Sequence, residues 1–419
     1  MNHPIILEFR SLARYLLRWL PVALLVGALS GTASAWFLFA LDWATGTRLA
    51  HRWLILAMPL MGFVVGWVYL RFGRSVEAGN NLLIEEIHSP QNRIPLRMAP
   101  LVLLGTVASH LVGASVGREG TAVQMGGALA DQLNRVIRFD QAQRRILLMA
   151  GLSAGFASVF GVPLAGAIFG LEVLAIGRLR YDALFPCLIA AIAGDQVCLL
   201  WGVHHTLYPV SAFPPVSAWG LTATLLAGVV FGLVGMAFAQ STHWLGGLIK
   251  RYVAYAPLRP LLGGAVIAAV AWFCLADRYL GLGVPVIVQA FTQPLHGYDF
   301  AGKFIFTVAS LASGFKGGEV TPLFYIGATL GNALAPLLHM PLSLMAAIGL
   351  VAVFAGAANV PIASGIMAVE LFGSEIGVYA ALACAVSWLF SGHIGIYKAQ
   401  RGGSKWLRPV PGQPPDQPL

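Results

Sequence analysis

The apolar positions of this chain fall into runs too long and too unbroken for a soluble domain. Residues 21–41, 53–70, 221–239, 261–274 with flanks and 378–390 with flanks each predict a helix able to span a bilayer, because about 20 apolar residues cover the hydrocarbon core. The first run outlasts a signal-peptide core, so the opening segment, punctuated by Arg10, Arg14 and Arg18, is expected to stay in the mature protein. Other apolar stretches are cut by glycines clustered where segments start. Irregular backbone at membrane depth is tolerated only where it is buried in protein or lines a cavity. The pattern therefore points to an ion pathway.

The same pattern occurs twice. Val-Pro-x-Ala-x-x-Ile-x-x-x-Glu at 162–172 recurs at 360–370, and Phe156-Ala157 recurs as Phe354-Ala355. One common offset also aligns Ala114-Ser115-x-x-Arg118-x-Gly120 with Ala312-Ser313-x-x-Lys316-x-Gly318. The expected organisation is a cytoplasmic amphipathic segment at 1–14, membrane repeats at 15–205 and 212–402, and a short basic, proline-rich tail at 403–419. The expected fold class is an all-α polytopic membrane protein with two homologous repeats of tilted and broken helices, inverted where each half has an odd number of crossings, which the sequence alone does not settle. Repeats of this kind place a substrate site at their interface near the midplane.

Composition agrees. Of 419 residues, 58% are hydrophobic and 10% charged, against about 25% charged in soluble domains. The net charge of +9 does not imply nucleic acid, because the basic residues sit in short connections: Arg71 and Arg74, Arg135 and Arg138, Arg144 and Arg145, Lys250 and Arg251. With Lys398, Arg401, Lys405 and Arg408 near the end, this is the positive-inside pattern, predicting cytoplasmic termini and contact with anionic lipid. Cys187, Cys198, Cys274 and Cys384 have no metal-type spacing and read as small hydrophobes. No cofactor is implied.

Four glutamates stand in apolar surroundings, where an ionisable group is costly and a functional candidate by default. Glu172 and Glu370 hold matched places near segment ends, and a bond to backbone is the expected role there. Glu119 and Glu319 instead open helices beside glycines, in Gly117-Arg118-Glu119-Gly120-Thr121 and Gly317-Gly318-Glu319-Val320-Thr321-Pro322. A helix N-terminus presents unpaired N–H groups and partial positive charge to an anion. Glycine lets the ion approach the backbone, and Pro322 suits a first turn. A third such segment begins at Gly79-Asn80-Asn81-Leu82-Leu83, where an asparagine amide offers further N–H donors. An enzyme would need a nucleophile with its base or a metal cluster; the chain has no His-Glu-x-x-His or paired aspartates.

The segment at 117–120 followed by Gln124, the Gly-Gly-x-x-x-Pro at 317–322 and the Gly-x-x-x-x-Tyr ending at Tyr397 resemble, in order, three motifs of the CLC anion channels and transporters. The resemblance covers about residues 15 to 402. Chloride-selective members usually carry a serine where this chain has Asn80, a proline at Thr121, and an apolar pair at Glu319 and Val320. Asparagine in the first motif with Gly-Gly-Glu-Val-Thr-Pro in the third resembles the fluoride/proton antiporter clade. CBS domains are not expected after Tyr397.

What the resemblance implies is a homodimer of a bacterial-type inner membrane that exports fluoride against protons. Glu119 and Glu319 would handle gating and protons. Asn80, Asn81, Gly117, Arg118, Gly120, Thr121, Gly318, Val320, Thr321 and Tyr397 would line the anion path, with Tyr397 at its inner end. Chloride/proton members also carry an inner-side glutamate near the end of the first half. The comparable stretch here is expected at Gly202-Val203-His204-His205-Thr206, which has no acid, leaving Glu319 part of that work. Fluoride holds its water tightly, so its site must supply strong donors. A chloride/proton antiporter or passive chloride channel is the alternative.

Overall fold

The structure, a computed structural model, describes residues 4–402 and Lys405; the expected tail at 403–419, including Arg408, otherwise lies outside the described residues, as do residues 1–3 of the first segment. Among the described residues, sixteen α-helices order themselves in two sets of eight. The first set is α1 (Pro4–Ala50), α2 (Met58–Phe72), α3 (Asn80–His88), α4 (Met98–Leu111), α5 (Glu119–Ile137), α6 (Gln141–Phe160), α7 (Pro163–Glu172) and α8 (Leu184–Leu200). The second is α9 (Ala218–Tyr252), α10 (Leu258–Phe273), α11 (Val284–Thr292), α12 (Asp299–Ser313), α13 (Val320–Leu334), α14 (Leu342–Ala358), α15 (Pro361–Phe372) and α16 (Gly377–Phe390). Among the described residues the extended backbone amounts to two isolated bridges, Gly117 with Gly318 and Ala175 with Arg401.

The amphipathic start is no separate unit: it forms the first turns of α1, a 47-residue helix that runs through Pro21. By length and composition, 9–50, 52–72, 181–200 and 218–252 can cross a membrane. The span at 181–200 is absent from the apolar runs singled out in the sequence, and 261–274 and 378–390 fall within shorter helices.

Direction settles how the repeats relate. Tyr15 donates to Asp182 O at 3.3 Å near the start of α8, and Trp201 Nε1 donates to Thr32 Oγ1 at 3.2 Å past its end. Hence α1 and α8 run parallel, away from the N-terminal face. In the second half, Tyr379 at the start of α16 donates to Pro215 O at 3.0 Å just before α9, while His243 Nε2 lies 2.9 Å from Gly395 O at the far ends. Residues 395–401 then return to the N-terminal face, where Arg401 N donates to Leu174 O at 3.1 Å. So α9 and α16 run toward the face that α1 and α8 leave, and the repeats are inverted.

This geometry overturns one expectation. Residues 202–206 follow α8 at the face opposite the N-terminus, where His205 packs on Gly161 and lies 3.6 Å from Asp195. They do not share the N-terminal face, as an inner-side stretch beside cytoplasmic termini would.

Glu172 and Glu370 make the inversion visible. Glu370 Oε1 and Oε2 accept from Leu164 N and Ala165 N at 2.8 Å each, at the start of α7. Glu172 accepts from Ile362 N at 3.0 Å and Ala363 N at 2.8 Å, at the start of α15. Each carboxylate thus satisfies the free donors of the other repeat's antiparallel helix. Glu172→Ala leaves two donors of α15 without an acceptor. Stripping a buried group of its partner costs roughly 1–3 kcal/mol, so the expected result is lower thermal stability in detergent with transport per folded molecule unchanged. Unchanged melting with lost transport would instead put Glu172 in the pathway.

Candidate functional site

Two glycine-rich loops of opposite repeats meet at the centre. Gly117 N donates to Gly318 O at 2.6 Å and Gly318 N donates to Gly117 O at 2.8 Å. This pairing sets α5 and α13 starting side by side. Gly79, at φ +59° and ψ −125°, turns the chain into α3 against the Gln124 amide. A side chain there would be strained by its backbone alone. Three helix N-termini are therefore held in one region, each supplying unpaired donors.

The Glu119 carboxylate is fully buried and lies across the start of α13. Its Oε2 accepts from Thr321 N at 3.0 Å and Arg118 N at 3.2 Å; its Oε1 accepts from Thr321 Oγ1 and faces Arg118 Nε at 3.4 Å. A carboxylate thus occupies donors of the kind an anion would use. Glu319 is the residue before α13, yet its side chain makes no capping bond. It lines a cavity of about 780 Å³ together with Asn80, Asn81, Gln124 and Tyr397. Gly120 packs between Asn80, Gly318 and Glu319: a Cβ there would lie 3.0 Å from Asn80 Nδ2, 3.1 Å from Gly318 Cα and 3.9 Å from Glu319 Oε2. Any side chain at this position would crowd Asn80 and Gly318.

Not every residue singled out in the sequence faces this cavity or the Glu119 carboxylate. Thr121 hydrogen-bonds Thr106 at 2.7 Å, both hydroxyls buried, and ties α5 to α4 rather than facing an ion. Asn81 Oδ1 accepts from Ala399 N at 2.9 Å, so it anchors the segment that carries Tyr397, although it borders the cavity. Val320 is buried and outside the cavity lining. Arg118 keeps its contact with Glu119.

The cavity also reveals what the sequence did not. Arg74, Lys250, Arg259, Lys316 and Lys398 line it, with Glu77 the acid among them besides Glu319. Arg74 and Lys250 were expected to face lipid headgroups; here they line the cavity. Lys316 lies 4.0 Å from the Tyr69 ring centroid. Its match to Arg118 in the repeat is the one sequence signal that could have found it. Field lines from such a lining raise the local concentration of anions.

Comparisons with known proteins agree with this architecture. The family described as voltage gated chloride channel matches residues 61–392. A protein of Pseudomonas syringae pv. tomato called a chloride/fluoride channel protein is 60% identical over 96% of this chain and 91% of its own length. An H(+)/Cl(-) exchange transporter of Cronobacter sakazakii is 27% identical over 84% of this chain and 81% of its own. Among solved structures, a CLC-type fluoride/proton antiporter superposes with a TM-score of 0.88 at 32% identity, covering 96% of this chain and 100% of that one. A slow cyanobacterial Cl-/H+ antiporter gives 0.79 at 22% identity over 91% of this chain and 96% of that one, a likeness of fold. Inverted repeats, paired glycine loops and an extended match together lead to one conclusion: this chain belongs to the CLC, or voltage gated chloride channel, family.

Proposed function

We propose that the chain is a secondary transporter that exchanges fluoride for protons and carries fluoride out of the cytoplasm. The observation that carries this reading is the placement of Glu119 on the α13 donors with Glu319 and the Asn80 amide across Gly120. A carboxylate that holds an anion position when ionised must leave it when protonated, and a free anion then takes its donors. One group thereby couples the two fluxes. Asn80, Thr321 and the backbone N–H groups replace the water of a tightly hydrated ion better than apolar atoms do. The names of the Pseudomonas relative and of the fluoride/proton antiporter support the choice of ion.

Export follows from acid–base chemistry. Hydrofluoric acid is weak, crosses lipid as the neutral molecule and dissociates inside; proton entry coupled to fluoride exit reverses the accumulation and would confer fluoride resistance. Under this reading the basic N-terminal face is cytoplasmic, in a bacterial-type inner membrane, and the basic cavity is the entrance for outgoing ion. The two membrane units span 15–205 and 212–402. Tyr397 contributes its hydroxyl at the inner end.

The test is direct. Vesicles containing the purified protein should release fluoride faster than chloride under equal gradients, with alkalinisation of the medium tracking the fluoride. Equal or faster chloride release would reassign the ion to chloride while leaving the family intact. The protein is also expected to be a homodimer with one pathway per subunit; mass measurement in detergent checks this, and a monomer with full transport rate would refute it.

A further inference from the structure

On the face opposite the cavity, three basic side chains meet without an acid of their own. Arg48 lies in the last turn of α1, His110 in the last turn of α4 and Lys303 in α12. Their exposures are 7%, 1% and 0%. They converge on the turn before α11: a Cβ at Gly281 would lie 3.7 Å from Arg48 Nη2 and 3.9 Å from His110 Nδ1. Lys303 Nζ donates to Gly281 O at 2.5 Å and Tyr279 O at 3.1 Å. Arg48 Nε has no hydrogen-bond partner, and the His110 ring meets only a loose approach of the Gly117 backbone.

The carboxylates of this region bond other groups, and Asp277 acts on Arg48 only through its charge at longer range. Asp277 accepts from Arg52 at 3.0 and 3.1 Å, and Asp299 accepts from Arg278 at 2.8 Å and the Tyr279 hydroxyl at 2.9 Å. Arg48 cannot shed its proton, and a buried charge without a partner is among the costliest groups in a protein. The Lys303 carbonyl bonds satisfy donors but supply no counter-charge. The geometry therefore calls for a negative ion. His110 also borders the Gly117 backbone, which puts the cluster beside the Glu119 loop.

We propose that Arg48, His110 and Lys303 form a second anion site, for one small monovalent halide, between the Glu119 loop and the face opposite the cavity. The ion accepts from the Arg48 guanidinium and a His110 ring N–H, over a turn where Gly281 contributes no side chain. Its place makes it the station an outgoing ion reaches after passing Glu119. That ordering rests on the exchange reading, whereas the binding does not.

Diffraction from crystals of the full chain grown in bromide tests the site by anomalous scattering. The expected result is a bromide peak within hydrogen-bond distance of Arg48, lost in Arg48→Gln and weakened in His110→Ala. No peak there in the unaltered protein overturns the proposal, as does an undiminished peak in Arg48→Gln. The unaltered protein suffices if that variant does not fold. A peak in a protein whose vesicles fail to release fluoride would keep this site and remove the exchange reading; fluoride release without the peak does the reverse.

Discussion

Glu119→Gln should reduce fluoride-driven proton movement to the background of protein-free vesicles. The amide keeps the shape of the side chain but exchanges no proton in the working range. It also gives up the charge that binds Glu119 to Thr321 N, Thr321 Oγ1 and Arg118. Hydrogen bonds to a charged group contribute about 1.5–3 kcal/mol each, so the variant holds its place on α13 far more weakly than the carboxylate does. Whatever fluoride crosses in this variant should cross without protons. A pH electrode and a fluoride electrode on the same vesicles read both fluxes. Normal coupling would overturn the scheme, because among the described residues no other carboxylate accepts from the donors of Thr321.

Glu319→Gln should impair proton movement as well, although the residue belongs to the other repeat. A helix-capping role is the competing reading, with an effect of about 1 kcal/mol on stability alone. The geometry disfavours it, since the Glu319 side chain makes no capping bond and borders the cavity instead. Its Oε2 and the Asn80 amide flank Gly120 from the cavity side, while Glu119 lies on the α13 donors. A proton arriving through the basic cavity meets Glu319 before Glu119, and a proton leaving Glu119 meets it next. Loss of coupling with thermal stability retained is the expected pair of results. Intact coupling would remove Glu319 from the proton route.

Both variants probe one structural device. The glycine loops pair as a short antiparallel bridge, so two helix N-termini from opposite repeats face a single point. Neither repeat can build that point alone: Glu119 comes from the first and Thr321 from the second. The reciprocal bonds of Glu172 and Glu370 fasten α7 and α15 by the same logic, and here the acids are structural.

Much of this was legible along the chain. Apolar runs and the low charge fixed a membrane protein, because twenty-residue apolar segments have no other stable environment. The repeated Val-Pro-x-Ala pattern marked two homologous halves, and glycine beside Glu119 and Glu319 marked helix starts that an ion can approach. These features are local, so they survive in the order of residues. Tertiary structure decided the rest. Which way each helix runs depends on the number of crossings before it, and broken helices hide that number; residues 202–206 were accordingly assigned to the wrong face. Thr121 and Thr321 look alike beside their glutamates, yet one bonds α4 and the other holds Glu119. Arg74 and Lys250 read as loop charges until the fold drew them around one cavity. Arg48, His110 and Lys303 are distant in sequence and share no motif, so only packing brings their donors to one turn.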